Sequence, residues 1–598
     1  MKITKLILFL VVLSVLAWGA VVPPALHAQV TKQALETVGE HLQAAQSFYS
    51  KLSPQQRKML SGGSSNFFKV VEEWPDFQRR ALTLQKSLSA SQLRALQRAQ
   101  SSQPAIPTTA GPVPVSNPAT DFLFGPAGAF TQSETSTALC GRHVVVGFND
   151  SGSVLESLFA TKGNNLSFNG FGVSGNRGLS FTDAGFLDST GAGGNPFNFL
   201  LGDPVLACAR SSHDDEEGPP TFFYSSILIT VSRAAGPLSA VSVSKSTDGE
   251  DEQVTFGSPL IAVAKDANTH FLDKDWMAVN PVNPKQIAVT YTDFDISATN
   301  GCMGLERIAI ETVGSNDGGT TWSPPTVIAQ LCSNGVNFVQ GSQVAFSSSG
   351  AVYVAFESFP NGNGTLGGRE ILFTSAPNLG GAFGALVPVA SVTGIGDGFE
   401  IQGGFRSFID IQGMAVDRSR AATGGNIYIV WHDTSSDSLF DFSGIGYGYS
   451  DVFIAKSTDR GVTWSAPAQV DRNSEPMANG LGTDSYMPGV AVDPTSGEVG
   501  VCWYDRRNDP LNYQVQRFCG VSFDAGATFT NTPMNPTPFP PIHGTDDQVN
   551  PFYFGDYDTV SSDGFLSAPG FIGAFQIVSA QGGKVLVPNP DVFARNFN

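Results

Sequence analysis

The sequence is short of charge. Asp, Glu, Lys and Arg make up only 15% of its 598 residues, and bases are outnumbered, 34 Lys/Arg against 53 Asp/Glu, for a net charge of −19. A nucleic-acid partner is therefore not expected, because such binding depends on cations that displace phosphate counterions. Long apolar runs are also scarce. After the first two dozen residues, no stretch approaches the roughly 18 apolar residues that span a bilayer. There are six cysteines and none forms a CxxC pair, so a zinc site is not expected.

At the N-terminus, Lys2 and Lys5 precede LILFLVVLSVLAWGAVV, and the small residue Ala28 follows in PALHAQV. This predicts a secretory signal peptide over residues 1–28, with cleavage near Ala28 and a secreted or periplasmic mature chain. A membrane anchor is the alternative, opposed by the short run and by Pro23-Pro24. An even cysteine count in an exported chain favours disulfides, paired sequentially as Cys140–Cys208, Cys302–Cys332 and Cys502–Cys519, with buried free thiols as the alternative. The 65 glycines, 44 phenylalanines and low charge suit a turn-rich all-β protein.

Residues 29–103 read as a small helical region. Leu35, Val38, Leu42, Ala45, Phe48 and Leu52 recur at three- and four-residue steps, and Ser53-Pro54 reads as an N-cap followed by Pro at the first helical position. FFKVVEEW (67–74) and SASQLRALQRAQ continue the region. Residues 31–103 carry ten Lys/Arg and five Asp/Glu, whereas the chain after 103 carries 22 and 48. The basic helical part can thus dock on the acidic remainder or on a protein partner, although solvated faces explain the asymmetry equally well. Residues 104–120 are a Pro-rich linker by composition.

Beyond residue 120 the helical period gives way to a repeat. Apolar hairpins end at Phe148, Tyr291, Phe356, Trp431, Trp503 and Phe575, with one more built on DPVLACA and FFYSSILI, at a period of about 71 residues. Each is followed by a turn, intact in SNDGGTTWS (315–323), STDRGVTWS (457–465) and SFDAGATFT (522–530). Degenerate copies include SGNRGLSF and STDGEDEQVTF. Four short strands fill such a period, and a ring of four-stranded blades protects its edges by closing on itself. The fold expected over 121–598 is a β-propeller of seven blades, with six as the alternative. The last copy lacks its outermost strand, which a segment near DFLFGPAGAF (121–130) would supply. In the turn, the Asp accepts backbone N–H bonds and Gly permits positive φ. Asp248, Asp317, Asp459 and Asp524 are therefore read as structural rather than catalytic or metal-binding.

These turns resemble the Asp-box, or BNR, repeats of the sialidase superfamily. VCWYDRRND and FGDYDTVSSDG also resemble secreted bacterial sialidase-like proteins. The resemblance implies a propeller that acts on or binds extracellular glycans or glycoproteins, as an exo-glycosidase of sialidase type or as a non-catalytic binding module. It further implies three arginines around a substrate carboxylate, a Tyr nucleophile backed by Glu, and an Asp acid/base. The family's Phe/Tyr-Arg-Ile-Pro motif is absent; FRSF (405–408) keeps only Phe-Arg.

In a four-stranded blade the Asp turn joins strands three and four, so a site would lie on the opposite face. Residues there follow second strands or precede first strands: Asp150, Asp293, His432 and Asp433, with Asp273, Lys274, Asp275, Asp410 and Asp484. The candidates are Asp275 or Asp433 as acid/base and Tyr486 or Tyr504 as nucleophile, with Glu400 as a helper. Arg406, Arg506 and Arg507 form an anion site, with Asp505 as a further substrate-binding residue and Arg142 and Arg210 in reserve. The paired arginines of YDRRND offer a bidentate fork, or else a salt bridge between blades. No cofactor is expected; SHDDEEG (212–218) offers oxygen ligands for a structural Ca²⁺.

Overall fold

The computed structural model describes residues 30–87, 111–117, 130–209, 220–248, 254–335, 337–359, 369–392, 401, 411–434, 439–440, 446–447, 449–472, 483–541, 546–550, 553–564, 570–581 and 587–598. The signal peptide, SASQLRALQRAQ, SHDDEEG, Arg210, Glu400, Arg406 and Asp410 lie outside them.

Seven sheets form seven blades, as the repeat predicts, all antiparallel except where Asn165–Ser167 joins Phe197–Ala209 in parallel. The innermost strands, in blade order, are Gln132–Cys140, Phe197–Ala209, His270–Val279, Phe338–Phe346, Ile411–Val416, Ser485–Val492 and Val560–Ser561. Their side chains are almost wholly buried. Adjacent sheets bury Val, Ile, Tyr and Trp between them, for example Tyr428, Trp503 and Phe518 between blades 5 and 6. All three disulfides pair in sequence, and Cys140–Cys208 ties the innermost strand of blade 1 to that of blade 2. Blade 2 is larger than the rest: its third strand, Gly236–Asp248, pairs with both Val254–Phe256 and Leu260–Asp266.

Ring closure differs from expectation in its donor. The outermost strand of the last blade is Val113–Pro114, paired with Ala594 and Phe593. The anticipated 121–129 lies outside the described residues. A stretch classed as linker by its prolines does the closing: an edge strand needs few backbone donors, so Pro114 is tolerated there.

The Asp turns sit between third and fourth strands. Asp459 Oδ1 accepts from Ser457 Oγ (2.8 Å) and Thr463 N (2.9 Å), and Ser457 Oγ accepts from Gly461 N (2.7 Å). Asp317 and Asp524 repeat this circuit. Asn176 reproduces it with an amide oxygen. These hydrogen bonds hold Asp317, Asp459 and Asp524 down at about 2. The Trp464 ring meets Phe373 of blade 4 edge-on at 5.3 Å, so this turn fastens neighbouring blades together. Asp248 ends its strand beside Val254.

The described part of the helical region, residues 30–87, folds as four helices: α1 (Lys32–Lys51), α2 (Pro54–Lys58), α3 (Gly62–Glu72) and α4 (Trp74–Ser87). Ser53 caps α2 in a capping box, as its sequence predicts. Leu35, Val38, Leu42, Ala45 and Phe48 form the buried stripe of α1. The helices do not stand apart as an arm for a protein partner. They pack on the chain's own propeller: Phe48 and Phe68 against Phe271, Phe67 against Phe199, His41 against Phe197. One further helix, α5 (Ser151–Thr161), lies within blade 1, capped by Asp150, whose carboxylate accepts from Gly152 N at 3.0 Å. The strand repeat had left no room for it.

Candidate functional site

Six innermost strands interrupt their pairing at the same height. In blade 1 Glu134 and Thr135 oppose a single residue between Ser133 and Ser136. The equivalent bulges carry Asp203-Pro204, Lys274-Asp275, Gly341-Ser342, Gln412 and Met487-Pro488. A bulge re-aims the side chain it carries. The first bulge residue is left-handed in five of them, with φ of +53° at Glu134, +54° at Asp203, +50° at Lys274, +69° at Gly341 and +52° at Met487. For a residue with a Cβ this costs about 1–2 kcal/mol. Such strain persists where surrounding structure enforces it.

The consequence is a buried charge cluster on the propeller axis. Glu134, Asp203, Asp273, Asp275 and Asp556 are each at most 3% exposed, and Lys274 is 1% exposed. Lys274 Nζ lies 4.0 Å from Asp556 and 3.8 Å above the Tyr557 ring. Asn149 knits the carboxylates together. Its Nδ2 donates to Glu134 Oε2 (2.7 Å) and to Tyr553 Oη (2.8 Å), while its Oδ1 accepts from Asp203 N (3.0 Å). Glu134 and Tyr553 are thus joined through one amide, and the carboxylate adds to the burial that raises the phenol. Ser225 Oγ donates to Asp275 Oδ2 at 2.5 Å.

Burial dominates the electrostatics. It pushes the Glu134 and Asp275 carboxyls well above their usual range, with neighbouring carboxylates adding to the shift and Lys274 opposing it. Asp203 rises to about 7 for the same reasons. Burial and the neighbouring carboxylates thus favour the protonated forms of Glu134 and Asp275. Perturbed acids of this kind, gathered in one place, are the usual mark of a functional centre.

The start of α3 enters this cluster. Ser61 N and Ser64 Oγ donate to the two Asp273 oxygens at 2.9 and 2.5 Å, and Gly62 N donates to Asp556 Oδ2 at 2.6 Å. Glycine is required at both positions. A Cβ on Gly63 would meet Asp203 Oδ1 at 2.5 Å and Leu201 O at 3.1 Å, and one on Gly62 would strike Glu134 and Tyr553.

The residues proposed from sequence fall in two neighbourhoods. Asp275, Asp273 and Lys274 belong to the axial cluster. Tyr486, Tyr504, Asp505, Arg506 and Arg507 belong to blade 6, where the arginines act as braces. Arg506 is fully buried and pairs with Asp484 at 3.2 Å; Arg507 bonds Asp505 and reaches Asp471 O at 2.9 Å. Both ion pairs lie within blade 6, and the Arg507 bond to Asp471 O reaches the segment that follows the last strand of blade 5. Tyr504 Oη bonds Asp558, which also accepts Thr135 N and Oγ1, each at 2.8 Å, joining blades 6, 7 and 1. Tyr486 stacks on Tyr504 at 5.8 Å under Arg506. Burial raises both phenols. Asp433 is half-buried opposite Asp451 in blade 5. Arg142 is exposed beside His143, at the opposite end of the hairpin from Asp150. Asp293 and Asp295 lie with His270, Lys265 and Arg307. The protein's own cations stand where a metal would, so this group is an ion-pair network.

Glu134, Asn149, Asp203, Tyr553 and Asp556 escaped the sequence reading. The available signal was position: Glu134 and Asp203 sit at bulges near the start of first strands, Asn149 at the end of a second strand, and Tyr553 and Asp556 just before the first strand of the last blade.

No family model matches the chain, and neither does any curated protein. Solved structures similar to it include an α-L-arabinofuranosidase of Fusarium graminearum in complex with arabinobiose (12% identity, 63% of this chain and 89% of that one, TM-score 0.36). An intramolecular trans-sialidase of Ruminococcus gnavus is 10% identical over 66% of this chain and 94% of that one, with a TM-score of 0.36. A polysaccharide lyase, an ulvan lyase bound to its saccharide, is 11% identical over 78% and 94%, with a TM-score of 0.41.

Proposed function

We propose that this chain is an exported Asp-box propeller that hydrolyses extracellular glycans at its axis, on the face opposite the Asp turns. One observation carries the reading: Tyr553 and Glu134, joined through Asn149 Nδ2, share a buried cluster with Asp275, whose burial favours its protonated form. Tyr553 is the nucleophile, and Glu134, once ionised, takes its proton. Asp275 protonates the leaving oxygen. An uncharged phenol spares the nucleophile from repulsion by the carboxylates around it. This replaces Tyr486 and Tyr504, which are committed to contacts between blades.

The charge balance favours an uncharged sugar over sialic acid. Lys274 is the one cation of the cluster among its described residues, facing five carboxylates. Arg506 and Arg507 are spent on Asp484 and Asp505. The test is a panel of 4-methylumbelliferyl glycosides, neutral sugars and sialic acid, offered to the mature chain and to Tyr553→Phe and Asp275→Asn. Turnover of a neutral glycoside, cut at least 100-fold by either substitution, supports the reading. Turnover that survives both refutes the assignment.

A second reading is a non-catalytic binding propeller, and the seating of α3 over the cluster favours it. Glycan binding with no turnover on any substrate would establish it.

A further inference from the structure

The ring closes without the helices. Val113–Pro114, which follows them in the chain, completes the last blade on Ala594 and Phe593. No blade takes a strand from residues 30–87. The helices are thus an addition laid over a finished propeller, and α3 inserts its N-terminus where the acidic groups converge. There the N–H groups of Ser61 and Gly62 and the Ser64 hydroxyl occupy Asp273 and Asp556. Gly62 and Gly63 approach Glu134, Tyr553 and Asp203 too closely for any side chain. Donors from a helix terminus fill the positions that sugar hydroxyls would take.

We propose that residues 30–87 are a built-in inhibitor, with the Ser61–Ser64 segment occupying the axial site as a resident ligand. The proposal rests on the axial site being the functional one. In the intact chain the helices exclude substrate; their displacement, by cleavage after the helices or by a competing partner, opens the site. Fixing the segment are apolar contacts distant from the carboxylates, among them Phe68 against Phe271 at 4.8 Å and Tyr49 at 4.3 Å. Seating and chemistry can therefore be separated by mutation.

The experiment uses the full mature chain, Gly63→Val and Phe68→Asp. The first variant blocks the close approach to Asp203, and the second breaks the apolar seat without touching the cluster. Lys274, covered in the native protein, reports opening through amine acetylation read by mass spectrometry; hydrolysis of the same glycoside panel reports activity. The expected result is Lys274 acetylation in both variants with at least a tenfold rise in turnover over native. Acetylation in either variant with measurable turnover that only equals native overturns the inhibitor proposal and leaves the hydrolase reading intact. Acetylation with no turnover in any of the three proteins overturns the hydrolase reading, and the inhibitor with it. Lys274 acetylated in the native chain overturns the inhibitor proposal directly, because the site is then already open. Lys274 unlabelled in both variants, with the Phe68 contacts broken, overturns it as well, because the helices then do not cover the site.

Discussion

Replacing Lys274 by Met removes the only ammonium in the axial cluster while keeping its aliphatic stem. Met inherits the same left-handed backbone at φ +50°, so the strain cancels in the comparison. What changes is charge. Lys274 opposes the raised values of Glu134, Asp203 and Asp275. Removing one partner of a buried ion pair costs about 3–5 kcal/mol when the other stays charged. The cost depends on pH. Asp203, at about 7 in the folded state, is neutral at pH 5 and ionised at pH 8, so there is less charge to strand at pH 5. The expected losses are therefore about 3–5 kcal/mol at pH 8 and about half that at pH 5. For a unit of this size, 1 kcal/mol corresponds to about 1 °C in Tm. Calorimetry of native and Lys274→Met at the two pH values measures the difference. Equal losses at both, or a gain at pH 8, would refute the claim that this lysine stabilises ionised carboxylates.

The native protein should itself lose stability as pH rises. Folded-state values for Asp150 (about 6), Asp203 and Glu306 (each about 7) exceed their unfolded ones. Their stabilisation is complete below about pH 4 and lost as pH climbs through 6–7, at most roughly 4 kcal/mol for Asp203 alone. Below pH 4 the reverse holds for Asp317, Asp459 and Asp524, whose depressed values withdraw their support toward pH 2; a Tm maximum near pH 4–5 is expected, and a maximum above pH 7 would contradict it. Ser457→Ala strands the buried Gly461 N–H and should cost about 1–3 kcal/mol in denaturant unfolding, with no measurable loss counting against the turn circuit. Replacing Cys140 and Cys208 by Ser opens a loop of 68 residues, which the chain-entropy relation values at about 4 kcal/mol, again readable by calorimetry.

The fold was legible because its signals are local. A turn that needs Asp for backbone donors and Gly for positive φ repeats wherever the geometry repeats, and aromatics such as Tyr291 and Trp503 mark the second strand of each hairpin. The closing strand was misplaced because two residues of edge pairing at Val113–Pro114 leave almost no pattern. Asp275 and Lys274 were found by counting back from hairpins. Their partners were missed because a bulge shifts register by one residue, and no alternation reveals which residue it turns inward. Arg506 and Arg507 were misjudged for a different reason: a bidentate fork looks the same in sequence whether it awaits a ligand or holds Asp484 and Asp505. The seating of α3 depends on contacts such as Ser61 to Asp273, 212 residues apart, which no local pattern encodes.

The axis as functional centre is tested most directly by the rate of neutral-glycoside hydrolysis in Gly63→Val, with and without Glu134→Gln. The account predicts turnover in the single variant and a loss of at least 100-fold in the double. Equal rates in the two would contradict it and send the search for the site away from the axis.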